Sequence, residues 1–203
     1  MVKLPPFQHA VIIGLILSDG SLAFASKTNK NARLGLEQSA SHLEYLLFIF
    51  TILSHYCASY PVHRIRYRTV KANYSVLFYT RSLPCLTEIH SLFYKNGNKL
   101  IPDNIYELLT PVTLAHLIQG DGSRSRHGLV LCTDSYSIED IVRLMNVLII
   151  RYRLNCTLRF HTETQPRIYI REGSMSLLRT IVIPYMHTSM LYKISAGRSQ
   201  KKN

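Results

Sequence analysis

Two segments of this 203-residue chain repeat one arrangement, an apolar run closing on Asp-Gly-Ser: Val11 to Ser21 and Leu114 to Ser123. No other feature constrains the fold as much. The chain holds only five aspartates, and two of them, Asp19 and Asp121, occupy the same setting 102 residues apart, which points to duplication of a whole structural unit. The residues downstream keep step. Leu34-Gly35-Leu36-Glu37-Gln38-Ser39 and Leu129-Val130-Leu131-Cys132-Thr133-Asp134 correspond at an offset of 95, and each precedes a helical pattern, carrying Leu43 and Glu44 or Ile138 and Glu139. Further apolar helical patterns beginning at Ser82 and Ser174 close the two halves.

Each half reads as an apolar helix, a hairpin, an amphipathic helix, a second hairpin and a last helix. The expected fold is α+β, two pseudo-symmetric αββαββα repeats. In the first repeat Ser21 to Ala25 pairs with Ala32 to Gln38 across the loop formers Lys27 to Asn31, and Val62 to Thr69 pairs with Tyr74 to Thr80. Helical spacing sets Leu43, Leu46, Leu47, Phe50 and Leu53 on the buried face of one middle helix, and Ile138, Ile141, Val142, Met145 and Ile149 on that of the other. The breakers Gly97, Pro102, Asp103, Asn104 and Pro111 make 96–111 the connection. The expected domains are therefore 1–98 and 99–194, followed by a basic tail, 195–203.

A single Asp-Gly step is an ordinary hairpin turn or a helix end at which glycine turns left-handed. Two of them behind apolar helices raise a different question. A helix C-terminus carries partial negative charge, so a carboxylate there is disfavoured unless a cation sits beside it. The small residues Gly14 and Ser18, or Ala115 and Gly120, permit close helix packing that would bring Asp19 and Asp121 together, although periodicity equally allows two core helices in unrelated places. Paired carboxylates, with water and phosphate, are ligands that Mg2+ prefers, and paired metals can hold the attacking and leaving oxygens of phosphodiester cleavage. No EF-hand loop is present to offer calcium instead.

The charge balance implies an anionic partner, nucleic acid first, although composition alone equally allows a basic surface that serves solubility. Lys and Arg number 24 against 12 Asp and Glu, a formal +12, and Arg outnumbers Lys 15 to 9, as expected where forked donors meet phosphates or guanine edges. Period-two alternation puts Arg64, Arg66 and Arg68 on one face of a strand and His63, Ile65 and Tyr67 on the other. In the second half Arg159 and His161, and Arg167 and Arg171, alternate with apolar residues in the same way. Arginines at alternate positions repel one another, and the arrangement makes better sense against a polyanion such as double-stranded DNA, whose major groove admits a two-stranded ribbon. The four cysteines show no zinc spacing, no apolar run is long enough to span a bilayer, and Met1 to Ala10 lacks the plan of a signal or transit peptide.

The windows Ile12 to Gly20 and Leu114 to Gly122 resemble the motif of the LAGLIDADG homing endonucleases. Lys99-Leu100-Ile101-Pro102, Leu109-Thr110-Pro111 and Met190-Leu191-Tyr192-Lys193 make the chain most similar to the single-chain, two-motif branch that includes the yeast mitochondrial ribosomal-RNA intron endonuclease. The resemblance implies motif helices at the interface of the repeats and two antiparallel β-saddles on DNA. It implies Asp19 and Asp121 as metal ligands with the Ser18 and Gly120 carbonyls nearby, and Lys99 and Lys193 beside the scissile phosphates. Gln38 and Thr133 would approach the active centre, and Arg33, Arg81, Arg124 and Arg126 would join the strand arginines on DNA. His116 stands where the first motif has Gly14, so it is expected to fill space in the helix packing. The activity implied is a Mg2+-dependent, monomeric, intron-encoded endonuclease, made in the mitochondrion or another organelle, that breaks both strands of a long asymmetric site. The alternative is an RNA maturase that assists group I intron splicing, with intron RNA as partner.

Overall fold

The structure is a computed structural model that describes residues 3–68, 71–162 and 165–195, the side chains of Arg68 and Lys71 excepted. Thr69, at the end of a predicted strand, and the predicted tail beyond Ser195 lie outside the described residues. The chain divides into two units, Met1–Leu100 and Ile101–Asn203. Lys99 therefore belongs with the first unit rather than opening the second.

The first unit runs α1 (Pro6–Ile16), β1 (Ser21–Phe24), β2 (Ala32–Ser39), α2 (Leu43–Leu53), β3 (Val62–Arg68), β4 (Lys71–Tyr79) and α3 (Pro84–Phe93), then a small hairpin of β5 (Tyr94–Lys95) and β6 (Asn98–Lys99). The second begins with a short α4 (Ile105–Leu108) and continues α5 (Pro111–Asp121), β7 (Gly122–Ser125), β8 (Gly128–Leu131), α6 (Ile138–Tyr152), β9 (Cys156–Phe160), β10 (Pro166–Ile170) and α7 (Met175–Val182). The αββαββα order thus occurs twice. Both four-stranded sheets are antiparallel with the same strand order, β1-β2-β4-β3 and β7-β8-β10-β9.

Local chemistry sets the helix starts. Proline occupies the first turn of α1, α3 and α5, where its missing N–H and fixed φ cost nothing. Thr110 Oγ1 accepts from Thr113 N at 3.2 Å at the head of α5, and Ser137 Oγ accepts from Asp140 N at 3.2 Å at the head of α6, each satisfying an orphan N–H. α1 is buried at every residue from Ala10 to Ile16, as a helix apolar on all sides must be. α5 is buried from Thr113 to Gln119 even though His116 and Gln119 are polar.

The middle helices bury different faces from those expected. α2 buries Tyr45, Leu46, Ile49 and Leu53 while Leu47 is exposed, and α6 buries Ile141, Leu144, Val147, Leu148 and Tyr152 while Ile138 and Ile149 are exposed. Both helices carry more apolar residues than one stripe can hold, so spacing alone admits two rotations and packing against the sheet selects one. β3 differs as well. Ile65 and Tyr67 share a face but are 50% and 77% exposed, because β3 is an edge strand and α2 packs over β2 and β4.

Candidate functional site

In each unit the repeated Asp-Gly step joins an apolar helix to the first strand of the sheet. α1 ends at Ile16, and Asp19 lies in the turn beyond it, whereas α5 runs through Asp121. Neither glycine is left-handed. Both are required by close approach instead: a Cβ on Gly20 would stand 2.9 Å from the Leu15 carbonyl carbon and oxygen, and one on Gly122 2.4 Å from Ile118 O. The glycine N–H donates to that same carbonyl, Gly20 N to Leu15 O at 2.7 Å and Gly122 N to Ile118 O. The chain thus folds back tightly enough to hold the preceding aspartate at the junction.

A lysine closes each junction. Lys99 Nζ donates to Ser18 O and Gly20 O, both at 3.1 Å. Lys193 Nζ donates to Gln119 O and Gly120 O, both at 2.6 Å, and is 7% exposed. The cation that a carboxylate at a helix C-terminus needs is therefore built into the chain, and it also satisfies carbonyls the helix leaves unpaired. Apart from the family resemblance, nothing in the local sequence distinguishes these lysines from solvated surface residues. The Ser18 and Gly120 carbonyls, expected near a metal, accept from the lysines, and each carbonyl oxygen retains a second lone pair.

Gln38, at the end of the core face of β2, donates from Nε2 to Asp19 Oδ2 at 2.6 Å. Tyr45 of α2 is also close: burial, then the negative charge of Asp19, hold its phenol well above the usual range. Thr133 has a different role from its counterpart Gln38, since its hydroxyl donates to Pro166 O at 2.7 Å. Around Asp121, burial raises the Cys132 thiol, with Asp121 among the charges acting on it. The same carboxylate adds to the forces that keep Arg167 charged, the first of which is its bond to Asp134.

Among the described residues no group of three or more His, Cys, Asp and Glu could cage an ion, which does not fit a zinc or all-protein calcium site. One exposed carboxylate with an oxygen braced by an amide fits Mg2+, which keeps most of its waters and takes one or two carboxylates together with phosphate. Asp19 is such a group.

The sheets carry the basic faces. Register sets Arg33, Arg64 and Arg66 on one face of the first sheet, with Tyr79, Ser75 and Glu37. Arg64 Nη1 and Arg66 Nη2 both donate to Glu37 Oε2, at 3.1 and 2.7 Å, Ser75 Oγ donates to Glu37 Oε1 at 2.6 Å, and the Arg33 guanidinium lies 4.0 Å from the centre of the Tyr79 ring. In the second sheet Arg159 and Arg167 face each other directly across β9 and β10. Arg167 forks onto Asp134, Nε to Oδ1 at 2.8 Å and Nη2 to Oδ2 at 2.5 Å, while Arg159 stacks 3.2 Å from the Tyr169 ring centre. That bond holds the Asp134 carboxyl below its usual range. Arg126, His161 and Arg171 are exposed at strand ends.

Two predicted arginines lie elsewhere. Arg124 pairs in register with Leu129, on the face opposite Ser123 and Val130, and its Nη1 donates to Ser195 Oγ at 3.2 Å. Arg81 lies off the sheet between β4 and α3, where its N–H donates to Tyr56 O. The Arg68 side chain is outside the described part. Sequence reasoning missed Glu37, Asp134 and Tyr45. Glu37 within β2 and Asp134 just past β8 are plain acids in the sequence, and local patterning does not show which arginines they meet; Tyr45 gave no signal beyond its helix.

Residues 9–178 match the model of the LAGLIDADG DNA endonuclease family. The chain is 31% identical over 189 residues to the cytochrome b mRNA maturase bI2 of Debaryomyces hansenii, covering 91% of this chain and 72% of that protein. It is 28% identical over 208 residues to the DNA endonuclease I-ChuI of Chlamydomonas applanata, covering 94% and 95%. The solved structure of the homing endonuclease I-WcaI bound to its DNA recognition sequence superposes with a TM-score of 0.90 at 25% identity, over 97% of this chain and 89% of that one.

Proposed function

Because the chain belongs to the LAGLIDADG DNA endonuclease family, we propose that it is a site-specific homing endonuclease that makes double-strand breaks in a long, asymmetric DNA target. Asp19 and Asp121 each serve one strand as metal ligands, with the Ser18 and Gly120 carbonyls beside them. When bound, Mg2+ supplies a polarised phosphate and an activated water. The protein's part is to aim and balance charge: Gln38 orients Asp19, and Lys99 and Lys193 keep a fixed positive charge beside each acid, where negative charge develops on the phosphate. Arg33, Arg64, Arg66, Arg159 and Arg167 bind the duplex, with Arg68, Arg126, His161 and Arg171 at the margins. Two unlike repeats in one chain let a monomer read an asymmetric site. The chain is encoded and active in an organelle, most simply the mitochondrion.

The observation that carries this reading is that both units build the same junction independently: an acid, a glycine folded onto the preceding turn, and a lysine across the helix-end carbonyls. The test is digestion of DNA carrying the uninterrupted insertion site with Mg2+. Asp19→Asn and Asp121→Asn are each expected to lower cleavage by roughly 100-fold or more, the usual loss when a key charge-stabilising group is removed. Variants that cut as well as wild type would overturn the metal assignment.

A second reading, an RNA maturase, is favoured by two relatives named for cytochrome b mRNA maturation, at 31% and 30% identity. The chain spans 72% and 46% of their lengths. In vitro splicing of the host intron with and without the protein tests it, and an unchanged splicing rate would set it aside.

A further inference from the structure

Arg33, Arg64, Arg66, Arg159 and Arg167 of the basic sheet faces are already engaged in the chain without DNA, and two acids account for three of them. Glu37 sits on β2 amid the basic face and takes both Arg64 and Arg66 on one carboxylate oxygen, with Ser75 holding the other. Asp134, just past β8, takes Arg167 in a two-point fork. A surface built only for adhesion to phosphate would leave such acids out, since each cancels a cation and repels the backbone it would have to approach.

The pairs do something different to base recognition. Arg carries five N–H donors in a rigid plane, and each of these pairs uses one or two of them, so the remaining edge can still meet the O6 and N7 acceptors of guanine. Fixing the plane beforehand removes side-chain entropy that binding would otherwise cost. Neutralising its charge weakens contacts that depend on charge alone.

We infer that Glu37 and Asp134 are specificity-determining residues: they hold Arg64, Arg66 and Arg167 in base-reading poses and suppress their attraction to non-cognate phosphate. The inference rests on the DNA-binding reading above. It applies to each unit separately, because each acid acts only on arginines of its own sheet.

The test compares wild type with Glu37→Gln and Asp134→Asn, which keep the shape and much of the hydrogen bonding but remove the charge. Two duplexes of equal length serve as probes, one spanning the uninterrupted insertion site and one with that sequence scrambled, titrated over a range of salt in Ca2+ to prevent cutting. Each variant is expected to bind the scrambled duplex about 3- to 10-fold more tightly at low salt. The log–log salt slope on that duplex should steepen by about one phosphate equivalent. The ratio of scrambled to cognate Kd should fall by about tenfold. A ratio and a slope equal to those of wild type in both variants would overturn the inference. Failure of the underlying reading looks different, because wild type itself would then not distinguish the two duplexes.

Discussion

His116 shows how one residue can matter away from the chemistry. It replaces the glycine of the first motif, is 1% exposed in α5, and lies with Nδ1 3.2 Å from Gln119 Nε2. Burial lowers its pKa from 6.5 to about 4. Between those values the unfolded chain binds a proton that the folded chain excludes. Stability is therefore full above about pH 6.5, declines as pH falls toward 4 and then levels off. The shift corresponds to about 3 kcal/mol at about 1.4 kcal/mol per pKa unit. Urea denaturation at about pH 7 and about pH 4 should show a drop of that order in wild type, and His116→Leu should remove most of it. At this scale the two repeated aspartates were legible because aspartate is rare here. Glu37 was not, because a strand pattern shows that a charge faces solvent but not which cross-strand neighbours it will meet.

The element that matters most is the junction of helix, Asp-Gly turn and strand. Gly122→Ala would press a methyl group within 2.4 Å of Ile118 O. The backbone must then move, so a loss on the order of 2 kcal/mol is expected together with a fall in cleavage as Asp121 shifts. Differential scanning calorimetry and the digestion assay read the two effects. The lysines provide a graded comparison. Lys193 is nearly buried, so Lys193→Met leaves two carbonyls without a donor at a cost of about 1–3 kcal/mol, whereas Lys99 is more exposed and water can replace it. Chemical denaturation should find Lys193→Met the more damaging of the two. The element order was readable from the sequence, including both hairpins, but the buried faces of α2 and α6 were not, since each helix has more apolar residues than its buried stripe can use.

Over the whole molecule the governing quantity is charge. A formal +12 drives association with a polyanion by counterion release. A protein neutralising roughly 6 to 10 phosphates loses about 10³- to 10⁵-fold in affinity between about 50 and 200 mM salt. Filter binding of the cognate duplex across that range should show a loss of this order. A weak salt dependence would mean that the basic faces do not carry the binding.

The sequence by itself determined the duplication, the α+β order of each half, the two aspartates and the sign of the surface, because these follow from periodicity, composition and repeated spacing. Tertiary structure alone decided what the charges do. Lys99 and Lys193 are separated from their carbonyl partners by 81 and 73 residues at the junction positions Ser18 and Gly120, and Arg64 from Glu37 by 27. Contacts between residues so far apart in the chain leave no trace in local patterning. They arise only when the sheet register and the folded-back glycine turns bring the groups within hydrogen-bonding distance.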